Sequence, residues 1–263
     1  MALARWRDRV LANARVQPGD TVLDVGTGDG LVGLGALALA GENGHVVFSD
    51  VSPALLAACR RAVHASGLAG RTSFVLAPAE DLTGVDPGSV DVVTTRSVLM
   101  HVTARPEAFR EFHRVLRPGG RLACFESVAS RLQEPPGLYR GYDISPIREV
   151  VDRLRAHGGR GAPLATAPML DFDDTDLVRW AEEAGFIHVH LTLEVDVARP
   201  SPMRSWEFFY RTSTHPGIPS LADEADAALT VAEKQELCAH LRPLVESGAG
   251  VKRQAICYLT ATK

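Results

Sequence analysis

The chain has 263 residues, 46% hydrophobic and 23% charged, enough for one large α/β domain carrying inserted segments. Its net charge of −4 argues against a protein that works on nucleic acid, because phosphate binding needs a basic surface.

From the start, Leu3, Trp6, Val10 and Leu11 recur at helical spacing among arginines, which predicts an amphipathic helix to about Val16. No apolar signal core or bilayer-length run appears, so a cytoplasmic protein with no membrane partner is expected. Gln17-Pro18-Gly19-Asp20 breaks the helix. Val22 to Val25 then reads as a strand that ends in glycines at alternate positions, Gly26, Gly28 and Gly30, before an Ala-rich helix over 31–40. Glycine suits such a turn, since a Cβ would hold a ligand off and the backbone visits positive φ.

His45 to Asp50 is a second buried strand ending on an acid. Ser52-Pro53 opens a helix that runs to about Ser66, with Ser52 as N-cap. Thr72 to Leu76, Val90 to Thr95 and Arg121 to Glu126 are further strands. A helix over 106–116, closed by Arg117-Pro118-Gly119-Gly120, lies between the last two. This alternation predicts a parallel sheet covered by helices on both faces.

Later, a capped helix over 173–184 leads to Ile187, Val189, Leu191, Leu193 and Val195. These alternate with His188, His190, Thr192 and Glu194, the pattern of a half-buried strand near a sheet edge. A last strand is expected over 254–262. Two stretches interrupt the scheme, 129–171 and 198–250. The first holds a helix over 146–157. The second holds an aromatic helix over 205–211 and one opened by a Thr230-x-x-Glu233 capping box. The domain is read as a single one spanning 1–263, with these two insertions as a cap on the substrate side, over the crevice at the carboxyl ends of the strands. Cys59, Cys124, Cys238 and Cys257 lack CxxC spacing and read as reduced core residues, with no metal site.

The glycine spacing decides the chemistry. A nicotinamide fingerprint reads Gly-x-Gly-x-x-Gly, whereas this chain has Asp24-x-Gly26-Thr27-Gly28-x-Gly30 and no Tyr-x-x-x-Lys pair around Tyr139 or Tyr142. The run resembles motif I of class I S-adenosylmethionine-dependent methyltransferases. Asp50 matches the family's ribose-binding acid, followed by Val51; Ala79-Glu80-Asp81-Leu82 resembles its adenine-reading segment, here preceded by Pro78 instead of an acid. The run 91–102 is similar to motif IV, and 110–120 to the family's helix and L-K-P-G-G entry. The resemblance covers about 20–127. It implies a Rossmann-like, doubly wound sheet of about seven strands, mostly parallel with an antiparallel C-terminal strand, and S-adenosylmethionine as cofactor.

By this resemblance the cofactor-binding residues are Asp24, Gly26, Thr27, Gly28, Gly30, Asp50, Val51, Ala79, Glu80 and Arg96. Asp24 reads equally as a residue that orders the loop, Glu80 or Asp81 as the adenine reader, and Arg96 as a partner for the cofactor carboxylate or an anionic substrate. Because the sulfonium already carries an activated methyl group, little catalytic apparatus is needed. His101 is the first candidate for a general base. Met100, His101, Tyr142, Trp206, Phe209 and His215 are the candidate substrate residues, with the aromatic cluster around Trp206 also fitting a helix core. His113, His188 and His190 read as surface residues. The expected reaction is O-methylation of a small aromatic or polyketide-like metabolite. C- or N-methylation, a cyclisation on the same cofactor, and more remotely a nicotinamide oxidoreductase are the alternatives.

Overall fold

The computed structural model describes residues 2–131, 134–157, 171–199, 205–213 and 219–263. Their elements fall into two compact units, one formed by 1–128, 172–194 and 256–263, the other by 129–171 and 195–255.

The first unit is built on α1 (Ala2–Ala14), β1 (Thr21–Val25), α2 (Leu31–Leu39), β2 (His45–Asp50), α3 (Pro53–Ala65), β3 (Thr72–Leu76), β4 (Val90–Arg96), α4 (Arg105–Val115), β5 (Leu116–Ser127) and α6 (Asp174–Glu183). Two further strands, β8 (Ile187–Ala198) and β9 (Lys252–Thr262), complete the sheet, with 187–194 of β8 and 256–262 of β9 in this unit. The order is β3-β2-β1-β4-β5-β9-β8. β1, β2, β3, β4 and β5 pair in parallel, and β9 runs antiparallel to β5 with Arg121 opposite Thr262. The sheet is therefore the mostly parallel, doubly wound one the alternation predicts.

Successive residues of each strand enter opposite cores, as a period of two requires. Val22, Val92 and Ala123 pack with Val10, Leu37, Phe48 and Val63 beneath α1, α2 and α3. Leu23, Val93 and Leu122 pack with Phe109, Phe112, Leu177 and Trp180 beneath α4 and α6. Both β1 faces are sealed, so β1 contributes its carboxyl end alone to a surface. The strand order reverses between β1 and β4, which opens the crevice where ligands bind in such sheets.

Three details differ from the sequence reading. The Arg117–Gly120 turn lies within β5, where the register jumps from Val90↔Leu116 to Val92↔Arg121. β8 is the outer strand, but only Val189 and Leu191 pack on the core, while Leu193 and Val195 stay 37% and 54% exposed. His113 is half-buried, its ring edge-on to Phe186 at 5.1 Å, instead of lying free on the surface. Cys59, Cys124 and Cys257 are buried, and Cys238 is half-buried.

The second unit contains a short hairpin of β6 (Leu138–Tyr139) and β7 (Tyr142–Asp143), with α5 (Arg148–Ala156), α7 (Trp206–Arg211), α8 (Leu221–Ala228) and α9 (Val231–Glu246). The helix expected from Pro146 begins as a 3-10 turn, Ser145–Ile147, and becomes α-helical at Arg148. Thr230 and Glu233 form the predicted capping box of α9. Ser220 and Asp223 form another at α8, a helix not anticipated although Ser-x-x-Asp carries the same signal. Inside, Ile144, Val151, Leu154, Trp206, Leu221, Leu237 and Leu241 make a core of their own. Among the described residues no helix is long and apolar enough to cross a membrane.

Candidate active site

The turn after β1 is held from below by a carboxylate. Asp24, 2% exposed, accepts from Thr27 Oγ1 at 2.6 Å and the Gly33 amide at 2.9 Å through Oδ2, and from Thr94 Oγ1 at 2.9 Å through Oδ1. Burial pushes its carboxyl up to about 6, against the pull of these donors. Both oxygens are engaged inside the protein, so Asp24 orders the loop, one of the two roles read for it in the sequence. Thr27, 7% exposed, also faces inward, and its amide donates to the Ser49 carbonyl at 2.9 Å.

The loop glycines all take left-handed backbone, with φ of 63° at Gly26, 59° at Gly28 and 90° at Gly30. Their surroundings differ. A Cβ on Gly26 would fall 2.3 Å from Val98 Cγ2, whereas one on Gly28 would meet nothing within 4 Å. Gly28 thus faces open space while Gly26 abuts the segment after β4. A further glycine matters within the helix: a Cβ on Gly33 would lie 2.3 Å from Phe48 Cε1. Its absence lets α2 sit down on the sheet and bring its N–H to Asp24. The sequence reading missed Gly33, though a glycine inside a helical run signals close packing.

Asp50 ends β2 beside this loop. Its Oδ2 accepts from the Gly28 amide at 2.8 Å and its Oδ1 from the Ser52 amide at 2.9 Å. A carboxylate has about four acceptor positions, so two remain for other donors. Apolar Val51 and Leu76, at the carboxyl ends of β2 and β3, are 66% and 60% exposed. The 77–82 segment is tied to both neighbours. Ala77 N donates to the Asp50 carbonyl at 3.1 Å, and Leu82 N donates to Glu111 Oε2 at 2.7 Å. Glu111 is itself paired with Arg114 at 2.6 Å. Ala79 is 4% exposed and Glu80 half-buried, so Glu80 is the more accessible of the two.

On the other side of the loop β4 ends at Arg96, which is half-buried and, among the described residues, has no hydrogen-bond or ion-pair partner. Ser97 adopts φ of 57°, turning the chain sharply into a 3-10 turn, Leu99–His101. Glu126 of β5 fastens that turn. Fully buried, it accepts from the amides of Val98 and Leu99, both at 2.9 Å, and of Met100 at 3.3 Å. Burial raises its carboxyl to about 7, countered by these amides and by Arg105. Arg105 is also buried, and its Nε donates to the Leu99 carbonyl at 2.8 Å. Met100 packs partly into the core, and His101 is exposed at the end of the turn. Glu126, Arg105 and Thr94 were not singled out from sequence. A charge in an otherwise apolar strand, as in Cys124-Phe125-Glu126, was the signal available, because a buried charge demands partners.

The candidate substrate residues outside this unit fare differently. Tyr142, Trp206 and Phe209 are 4%, 5% and 7% exposed in the core of the second unit. Tyr142 and Phe209 rings stand edge-on at 5.2 Å, and Trp206 lies 5.9 Å from Phe209. Aromatic residues at helical spacing bury most when turned inward, and all three lie in the core of their unit, the place the sequence also offered the Trp206 cluster. His215 lies outside the described residues.

Residues 23–124 match the family model described as a methyltransferase domain. The chain is 30% identical over 181 residues to the ubiquinone/menaquinone biosynthesis C-methyltransferase UbiE of Vibrio cholerae, covering 69% of each chain. It belongs to the class I S-adenosylmethionine-dependent methyltransferases. Solved structures share the fold: YcgJ of Bacillus subtilis, at 13% identity with a TM-score of 0.60 over 98% of both chains, and the [4+2]-cyclase SpnF, at 19% identity with a TM-score of 0.55 over 99% of this chain and 80% of that one. The nicotinamide alternative is set aside. This methyltransferase's cofactor is S-adenosylmethionine, and the loop fits it chemically. Gly28 leaves open space where a Cβ would stand, Asp50 keeps acceptor capacity for hydroxyl donors, and Val51 and Leu76 offer apolar surface.

Proposed function

We propose that this methyltransferase methylates an oxygen of a small aromatic or polyketide-like acceptor, with His101 as the base that takes the hydroxyl proton. The observation that supports this is the attachment of the His101 turn to the glycine loop. Val98 packs against Gly26 and the three amides around it converge on Glu126, so the one exposed imidazole at the end of β4 sits on the element that borders the loop. Gly26, Gly28, Gly30, Asp50, Val51 and Ala79 would hold the cofactor, with Glu80 or Asp81 toward the adenine edge and the half-buried Arg96 toward the carboxylate. When bound, S-adenosylmethionine supplies an activated methyl group on sulfur. The residues of this chain then orient the acceptor, exclude water and remove one proton. Acceptor choice belongs to the second unit, whose first segment leaves the sheet directly after β5.

The UbiE relative's name favours a second reading, transfer to carbon. The two separate in one experiment. Protein supplied with S-adenosylmethionine and phenolic acceptors should give products that gain one methyl, with the methyl carbon bonded to oxygen by NMR. A carbon-bonded methyl selects the second reading, and a product without added mass points to another reaction on the same cofactor, such as a cyclisation. His101→Ala should lower kcat by about 10²-fold or more, the usual contribution of a positioned base, with cofactor affinity unchanged. Unchanged turnover removes His101 from the mechanism.

A further inference from the structure

β8 is the outermost strand of the seven-stranded sheet, 12 residues long and bordered by β9 on one side alone among the described strands. Such an edge carries unpaired backbone donors and acceptors. Its apolar residues are open as well, with Leu193 37%, Val195 54% and Val197 60% exposed. Proteins ordinarily guard an edge of this kind with like charges that repel a second strand. Here the polar side chains are divided by hydrogen-bonding character about the strand centre: His188 and His190 precede Thr192, and Glu194 and Asp196 follow it.

That division makes the strand complementary to itself. Laid antiparallel about Thr192, His190 stands opposite Glu194 and His188 opposite Asp196, each an imidazole N–H donor facing a carboxylate acceptor. On the other face Leu191 meets Leu193 and Val189 meets Val195. Each pairing occurs twice by symmetry. Moving the register by two residues breaks the His190–Glu194 pairing, and moving it by one sets imidazoles against leucines and valines. His188 adopts φ of 51°, so regular pairing starts at Val189 and the central run of 189–195 carries the register. Glu194 is already fixed by an ion pair with Arg9 of α1, which holds its carboxylate on the face that His190 shares by alternation.

We propose that β8 is a homodimerisation strand, pairing antiparallel with β8 of a second copy, Thr192 opposite Thr192, so that the two sheets join across a two-fold axis. The interface is isologous and closed, and it covers the β8 edge. Cross-strand neighbours in this arrangement bring Cβ atoms to about 4.5–5.5 Å, close enough for a disulfide after small adjustment.

Sedimentation equilibrium of the full chain should give twice the chain mass. Thr192→Cys, oxidised in solution, should yield a covalent dimer on a non-reducing gel, whereas Val197→Cys should not, because its partner position is Ile187. Leu193→Lys, which sets an ammonium against Leu191 of the second copy, should halve the measured mass. The same variant should keep its thermal shift with S-adenosylhomocysteine, showing that it folds. A monomer at every concentration overturns the proposal. So does a dimer that survives Leu193→Lys and gives no Thr192→Cys cross-link, since it uses another surface.

Discussion

At the scale of single residues, two buried carboxylates organise the site from inside the protein. Asp24 closes the glycine loop from beneath and Glu126 closes the His101 turn. Asp24→Asn keeps the size of the side chain but replaces one acceptor oxygen with a donor, leaving an amide or hydroxyl donor unmatched. A loss of about 1–3 kcal/mol in unfolding free energy is expected, read by urea denaturation, together with weaker S-adenosylhomocysteine binding. The carboxyls also set a pH dependence. Burial raises Glu126 from 4.5 to about 7 and Asp24 from 3.8 to about 6, so the native state retains protons that the unfolded chain releases. Stability from these groups is full below the ordinary carboxylate range and falls as pH rises through about 6 and then about 7. Keeping Glu126 ionised costs on the order of 3 kcal/mol. Glu126→Gln should therefore flatten the unfolding free energy between pH 4.5 and 7, measured at several pH values; an unchanged slope would assign the dependence to other groups.

At the scale of elements, most of the fold was legible because local signals agreed with the sheet. Apolar runs ending in glycine or an acid marked β1 and β2, and Ser52-Pro53 marked α3. What stayed hidden depends on contacts distant in sequence. Nothing near Glu126 indicates that its partners are amides 26 to 28 residues earlier, and nothing near Trp206 shows which side its helix buries. The place of Asp50 beside the glycine loop was readable from its position at a strand end, whereas the inward role of Asp24 needed Gly33 and Thr94 beside it. Capping boxes sit between these cases, since their three-residue spacing is local. Thr230 Oγ1 receives the Glu233 amide and donates to the Glu233 carboxylate. Thr230→Ala should cost about 1 kcal/mol of unfolding free energy, and Ser220→Ala, 5% exposed at α8, at least as much. Equal stability of either variant to the parent would show that α8 or α9 is held by packing alone.

At the scale of the molecule, the chain passes between the two units after residues 128, 171, 194 and 255, so neither unit is a continuous piece of sequence. The residues proposed to hold the cofactor, from Gly26 to Arg96, all belong to the first unit and come from the carboxyl ends of three neighbouring strands, β1, β2 and β4, and the turn after β3. A ligand that bridges these ends binds the assembled sheet and not the unfolded chain, so it must stabilise by mass action. At a hundred times its Kd, S-adenosylhomocysteine should add about 2.7 kcal/mol. For a unit of this size that corresponds to a rise in Tm of roughly 5–10 °C by scanning fluorimetry. NADH at the same concentration should leave Tm unchanged, because the Gly26-x-Gly28-x-Gly30 spacing does not follow the dinucleotide pattern. Asp50→Ala removes the acceptor that joins β2 to the loop, and with it most of the S-adenosylhomocysteine shift. A full shift in that variant would move the ribose site away from the end of β2.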